Sequence, residues 1–132
     1  MLIKSLITII TISFLILQNV FSEKSNKYTK NLDIEWDILN KKAREYYHLG
    51  QYGRALIATK KALTIAENNM GENHQDIIKS LNNLAMLYKA KEQYVLAETL
   101  FTRALSMQEK ARGLNHPSLV TSLNNLAFLY KA

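Results

Sequence analysis

The chain has 132 residues, 48% of them hydrophobic, with 17 lysines and arginines against 11 aspartates and glutamates and no cysteine. This composition is typical of a domain with a buried core and excludes a disordered chain, while the lack of cysteine excludes a disulfide framework and a thiolate metal site. The net charge of +6 favours an acidic partner, although charges spread along a chain are equally typical of a solvated basic surface.

The first 22 residues have the pattern of a secretory signal peptide. Lys4 precedes an apolar run at 6–17, and Ser22 stands at the end of the segment, where a small residue precedes a cleavage site. An uncleaved membrane anchor over residues 5–21 is the alternative, although polar residues interrupt that stretch. The sequence therefore predicts an exported protein, secreted or periplasmic, with a membrane-anchored protein as the alternative.

A short polar segment and then a repeated unit follow. Residues 23–30, EKSNKYTK, lack apolar periodicity, which predicts a flexible spacer. Within residues 31–132, the stretch GENHQDIIKSLNNLAMLYKA at 71–90 returns 42 residues later as GLNHPSLVTSLNNLAFLYKA at 113–132. The same offset reveals a more diverged first copy. The predicted repeats are 31–72, 73–114 and an incomplete third at 115–132.

Each repeat contains two segments with the apolar spacing of an amphipathic α-helix. In the first segment of the second repeat, Leu81, Leu84 and Tyr88 fall on one helical stripe. In its second segment, Ala97 and Phe101 do the same. Each repeat is therefore predicted to be a pair of helices. The predicted helices are 33–49, 52–69, 75–90, 94–112 and 117–131.

The connections between repeats carry residues that end and begin helices. Gly71 and Gly113 follow the second helix of a repeat, where a left-handed C-terminal cap is expected. Asn73 and Asn115 are predicted helix N-caps. Pro117 suits the first turn of the last helix, where the missing N–H costs nothing.

The phrase G-x-N-H-P followed by SLNNLAxLY resembles the tetratricopeptide repeat, in the 42-residue form found in kinesin light chains and many bacterial repeat proteins. It is intact at 113–130 and nearly so at 71–88, where Gln75 replaces proline. The resemblance implies an all-α fold, a right-handed α-solenoid of antiparallel helix pairs with about two and a half repeats and five helices. The first repeat departs at Lys42 and Thr59, and both changes suit a terminal repeat with one face in water.

The resemblance also implies which residues pack the helices together. Trp36 aligns with a packing position and is expected to pack at the start of the first repeat helix. The tyrosines at 46, 88, 94 and 130 are expected in the core. The helix-packing positions are Leu81, Leu84, Ala85, Tyr88, Tyr94, Ala97, Phe101 and Ala104, followed by Leu123, Leu126, Ala127 and Tyr130.

The family resemblance implies a non-catalytic scaffold or adaptor that binds a peptide segment of a partner in a concave groove lined by the first helix of each repeat. An asparagine amide both donates and accepts, so it can hold a peptide backbone. One asparagine of each pair is expected to do so, with Asn82 and Asn124 the more exposed, while the other bonds a neighbouring helix. The expected groove residues are Asn40, Arg44, Lys79, Asn82, Asn83, Met86, Lys89, Asn124, Asn125 and Phe128.

The sequence contains no enzyme motif: no glycine-rich phosphate loop, no nucleophile elbow and no His-Glu metalloprotease helix. His74 and His116 recur at the repeat period, which a role in the connection explains. The prediction is therefore a protein that is not an enzyme, with no catalytic, cofactor-binding or metal-binding residues and no nucleic-acid partner.

Two other interpretations of the chain stay open. It is either a self-assembling or membrane-held structural piece, whose last helix docks on another copy, or a truncated fragment of a longer repeat protein with little independent function. The first follows from length, because stable stacks normally need at least three repeats. Contact with a membrane is expected only through the N-terminal segment.

Overall fold

The computed structural model describes residues 1–69 and 75–131, and within them it contains five α-helices and no strand. The predicted all-α fold is confirmed, and the second, third and fourth helices begin and end at the predicted residues. The predicted cap and connection residues Gly71, Asn73 and His74, with the boundary between the first two repeats, lie outside the described residues. The helices are α1 (Leu2–His48), α2 (Tyr52–Asn69), α3 (Gln75–Ala90), α4 (Tyr94–Arg112) and α5 (Leu119–Tyr130).

The chain divides into two units, residues 1–34 and 35–132. In the first unit α1 is helical throughout residues 23–30, where the sequence predicted a flexible spacer. The reason is local: the first glycine of the chain is Gly50 and its single proline comes later still, so nothing in this segment breaks a helix. Among the described residues this is the one helix long and apolar enough to cross a membrane, a test that a signal sequence also passes.

The second unit buries its core between helices that alternate small and large side chains. Alanines at the helix contacts are fully buried and allow close approach, while Leu81 and Phe101 fill the space between them. Trp36 of α1 is 8% exposed and packs in this core, where its indole N–H donates to Ser80 Oγ at 3.0 Å. The main core cluster contains Trp36, Ala62, Leu63, Ala66, Ile77, Ile78, Leu81, Leu84 and Ala104.

Two of the four tyrosines expected in the core are not there. Tyr46 and Tyr88 are half-buried, but Tyr94 is 41% exposed and Tyr130 is 69% exposed. Tyr94 is the first residue of α4, at the rim of the helix pair. Tyr130 ends α5, the outermost helix of the described repeats, so less protein surrounds it.

The connection between α4 and α5 is longer than predicted. Gly113 ends α4 as predicted for a glycine, with a φ of 81° and an N–H that donates to the carbonyl of Glu109, but its ψ of 163° is extended rather than left-handed helical. The predicted N-cap Asn115 is wrong, because Ser118 occupies that position. Ser118 donates its backbone N–H to His116 Nδ1 at 3.2 Å, which extends the turn and delays the helix to Leu119.

Candidate binding groove

An open groove of about 670 Å³ lies along the first helices of the repeats. Four of its lining side chains come from α1, six from α3, and most of the rest from α5 and the residue that precedes it. One comes from α4. The lining residues are Trp36, Asp37, Asn40, Arg44, Gln75, Ile78, Lys79, Asn82, Asn83, Met86, Gln108, Ser118, Thr121, Ser122 and Asn125.

The groove continues into a second cavity of about 420 Å³ between the C-terminal halves of α3 and α5, because Met86 and Asn125 line both. Two predicted groove residues, Lys89 and Phe128, line this extension. The Lys89 ammonium lies 3.4 Å from the Phe128 carbonyl oxygen and 5.6 Å from the centre of its ring. This geometry is that of a cation held over an aromatic face.

A side cavity of about 210 Å³ opens beside the groove and shares Arg44, Asn83 and Met86 with it. Most of its other walls come from the last turns of α1 and from Leu87. Its inner wall contains Thr59, whose hydroxyl is fully buried and makes no hydrogen bond. Met86 thus lies where all three cavities meet.

Asparagine side chains link the first helices of successive repeats. Asn83 Nδ2 donates to Asn40 Oδ1 at 3.3 Å, and Asn125 Nδ2 donates to Asn82 Oδ1 at 3.5 Å. Asn40 in turn donates to the backbone carbonyl of Trp36 at 2.8 Å. We call Asn40, Asn82, Asn83 and Asn125 the amide ladder. In each link the second asparagine of a pair donates to the first asparagine of the preceding repeat.

The structure brings nine of the ten expected groove residues to the groove or its extension. The exception is Asn124, which is exposed and lines none of these cavities. Asn40 lines the groove but is only 3% exposed, so it acts through the amide ladder rather than by open contact. Asn82 and Asn83 are both half-buried, so the expected difference in exposure within this pair is absent.

Sequence reasoning missed the contribution of α4 to the groove. Gln108 is 4% exposed and accepts a hydrogen bond from Ser122 Oγ at 2.5 Å, which ties α4 to α5 beneath the groove. The signal that could have revealed it is its position, because Gln108 follows Phe101 and Ala104 on the buried stripe of α4. A polar side chain on such a stripe needs a buried partner.

The groove carries more positive than negative charge. Arg44 and Lys79 line it with Asp37, and Lys89 lines the extension. Lys79 lies 3.3 Å from Asp76, but its side chain is 55% exposed, so this ion pair contributes about 0–1 kcal/mol to stability. Within residues 1–69 and 75–131, no group of three histidines or carboxylates is placed to hold a metal ion.

Comparison with known proteins finds a matching family model and similar crystal structures. The model of the tetratricopeptide repeat family matches residues 37–110 and 76–132. The crystal structure of BtubC (BKLC) from P. vanneervenii is similar, with 27% sequence identity and a TM-score of 0.69 over 76% of this chain and 39% of that one. No curated protein matches the chain significantly.

A second similar structure comes from Podosopora anserina, a protein assigned as a kinesin light chain with nearly identical TPR-like repeats. It shares 25% identity with a TM-score of 0.64, over 78% of this chain and 47% of that one. The crystal structure of a variant of that protein gives 25% identity and a TM-score of 0.62, over 79% and 47%. This chain therefore spans less than half the length of the solved structures it matches.

Proposed function

Since this chain belongs to the tetratricopeptide repeat family, whose repeats generally serve as protein interaction scaffolds, we propose that it is a non-catalytic adaptor that binds a peptide segment of a partner protein in the groove. The observation that carries this proposal is the lining of the groove. Amides and cations from α1, α3 and α5 line one open groove and its extension, instead of pointing separately into solvent.

The lining favours a peptide with acidic residues. Lys79 and Lys89 lie on one face of α3 and Arg44 lies on α1, so carboxylates along a bound segment meet cations at several points. The oxygen of Asn82 is held by the amide ladder, which leaves its amino group to donate to a peptide carbonyl. Met86, at the junction of the cavities, offers an adaptable apolar contact.

A charge-matched pair of variants tests the proposal. Peptides are first selected from a random display library on the wild-type full-length chain in detergent. Their affinities are then measured for the groove variant, in which Lys79, Asn82 and Lys89 are replaced by alanine. The control variant replaces three exposed residues outside the groove, Lys61, Lys110 and Asn115, and so removes the same charge.

The groove variant should bind the selected peptides roughly tenfold to a hundredfold more weakly, because each lost charged hydrogen bond is worth about 1–3 kcal/mol before compensation by water. The selected peptides should be enriched in aspartate and glutamate, and their binding should weaken as salt rises. Equal affinities of the two variants, with equal helicity by circular dichroism, would show that the groove is not the binding surface.

We further propose that the chain is exported and that residues 1–22 are removed as a signal peptide, with retention as a membrane anchor as the alternative. The exposed apolar side chains of the N-terminal part of α1 support either outcome. Expression in a secreting host and intact-mass measurement separate them. A soluble product beginning at Glu23 supports export, whereas a full-length product in the membrane fraction supports anchoring.

A second candidate function is self-assembly through the last helix. It is favoured by the apolar side chains of α5 that remain exposed, among them Val120, Leu123 and Tyr130.

A further inference from the structure

One face of α5 is an uncovered apolar surface. Val120 is 57% exposed, Leu123 is 52% exposed, Tyr130 is 69% exposed, and Ala127 is exposed between them. Their spacing of three, four and three residues places them on one stripe along the helix. We call these four residues the outer stripe. It lies apart from the groove, which α5 lines through Thr121, Ser122 and Asn125.

The preceding repeat shows that this kind of surface is built for packing. The equivalent positions on α3 are Ile78, Leu81, Ala85 and Tyr88, and the first three are at most 2% exposed. The outer stripe has the same mixture of large and small apolar side chains. In the part of the chain that the structure describes, no helix covers it. An exposed apolar surface of this kind marks a site where another helix packs.

We propose that the occupant is the outer stripe of a second copy, packed antiparallel about a two-fold axis that passes near residue 125. The four positions are symmetric about that residue, so Leu123 faces Ala127 of the second copy and Val120 faces its Tyr130. Each facing pair joins a larger side chain with a smaller one, and Ala127 allows the helix axes to approach within about 8–10 Å. A two-fold contact requires such self-complementarity.

The charge distribution of the outer stripe permits pairing of like chains. The chain carries a net charge of +6, so two copies repel each other at long range. The outer stripe contains no charged side chain, and its Tyr130 hydroxyl donates to Glu98 Oε1 within the same chain at 2.5 Å. Antiparallel pairing therefore places no like charges directly opposite each other. Added salt should strengthen the contact, because it screens only the repulsion.

The contact is small. A helix of 12 residues is about 18 Å long, so it covers less than the roughly 800 Å² per partner of a standard stable interface. The expected dimer is accordingly weaker than one held by an interface of standard size. This inference rests on the second candidate function and not on peptide binding, and its test needs no ligand.

Cysteine cross-linking of the full-length chain in detergent tests the pairing, and the lack of native cysteines makes every disulfide assignable. One preparation carries Leu123→Cys and another carries Ala127→Cys. Mixed and oxidised, they should form several-fold more disulfide-linked dimer than either alone, because only the mixed pair has facing Cβ atoms close enough for a disulfide. Thr121→Cys, exposed on the groove side of the same helix, is the control and should give only background dimer.

A charge pair provides the second readout and does not depend on oxidation. In a homodimer, Ala127→Glu places two carboxylates near the axis, each against the apolar Leu123 of the other copy, and should abolish the homodimer that native mass spectrometry detects for the unmodified chain. Mixing Ala127→Glu with Leu123→Lys should yield a heterodimer, seen by native mass spectrometry, because opposite charges then face each other. Equal cross-linking from Thr121→Cys, no cross-link above background, or homodimers that survive Ala127→Glu would each overturn the proposal, provided that helicity is unchanged.

Discussion

Helices α3 and α5 contain almost the same nine residues, SLNNLAMLY at 80–88 and SLNNLAFLY at 122–130, but they are buried to very different extents. Leu81 is completely buried, whereas its counterpart Leu123 is 52% exposed. The alanine four residues later is fully buried in α3 and exposed in α5. The tyrosine that ends the phrase is half-buried in one helix and 69% exposed in the other.

The difference arises from neighbours and not from the phrase itself. Helix α3 packs against both α2 and α4, whereas the main contacts of α5 are with α4 alone. In a repeat protein the burial of a position is set by the adjoining repeat, so identical side chains stabilise the fold unequally. The α3 copy is part of the core, and the α5 copy offers a surface.

The largest expected effect follows from truncating the same leucine in both helices. Leu81→Ala removes fully buried methyl groups and should lower the free energy of unfolding by about 2–5 kcal/mol. Leu123→Ala should lower it by less than about 1 kcal/mol in dilute protein, because half of the side chain is already in solvent. Denaturant unfolding of the full chain followed by circular dichroism measures both. Similar losses in dilute solution would contradict the comparison.

The serine that begins each phrase should give intermediate effects in both helices. Ser80 accepts a hydrogen bond from the Trp36 indole N–H, whereas Ser122 donates one to Gln108. Both serines are buried, so replacing either by alanine leaves a buried partner unpaired and should cost about 1–3 kcal/mol.

Double-mutant cycles distinguish lost hydrogen bonds from lost packing. Ser80→Ala should lower the free energy of unfolding by less in a Trp36→Phe background, since no indole N–H is left unpaired there. Ser122→Ala should likewise lower it by less in a Gln108→Leu background. Unfolding energies that simply add in both cycles would show that these serines contribute only by packing.

The residues that follow the first helix of each of the first two repeats, α1 and α3, present the converse case: different residue types share a backbone conformation with positive φ. Gly50 and Glu92 are 42 residues apart, and both have positive φ, 69° and 60°. Gly50→Ala should destabilise the protein by about 1 kcal/mol, because a Cβ is disfavoured in this conformation. Glu92→Gly should be neutral or stabilise by up to about 1 kcal/mol, since it relieves the same strain. The melting temperature of each variant, compared with that of the wild type, measures these effects. A higher melting temperature for Gly50→Ala would contradict the expectation.

The smallest expected effect concerns the tyrosine of α5. The hydrogen bond from Tyr130 to the Glu98 carboxylate, with smaller contributions from burial and from the negative charge of Glu98, raises the pKa of Tyr130 above its ordinary value. The stability that this bond adds is therefore fully present below about pH 10 and is lost as the pH rises through the raised pKa. The difference in unfolding free energy between wild type and Tyr130→Phe should be small at neutral pH and vanish in alkali. A difference that grows with pH would contradict this.

Much of the fold could be predicted from the sequence because its period and its turns are local. The ends of α2, α3 and α4 follow from apolar spacing and from the residues that interrupt it. The start of α1 could not be predicted in this way, since a polar composition such as that of residues 23–30 is typical of a flexible segment, although no residue there ends a helix. The start of α5 depends on the contact between His116 and Ser118, which no pattern reveals.

The sequence predicts which residues of α1, α3 and α5 share the groove face, but not the full set of side chains that line the groove. The spacing along α3 placed Lys79, Asn82 and Met86 on one face, and they line the groove. The participation of Gln108 and the side cavity at Thr59 depend on how closely the second helices approach, which sequence spacing does not determine. Whether these positions bind a peptide stays a prediction.

The amide ladder has a polarity. Asn40 and Asn82 each receive an N–H from the repeat that follows, and Asn124 occupies the same place one repeat further along. Among the residues that the structure describes, nothing donates to the side-chain oxygen of Asn124. The Asn40 and Asn82 oxygens are therefore already occupied within the chain, whereas the exposed Asn124 oxygen, which lies outside the groove, accepts from water or from any donor that another molecule presents there.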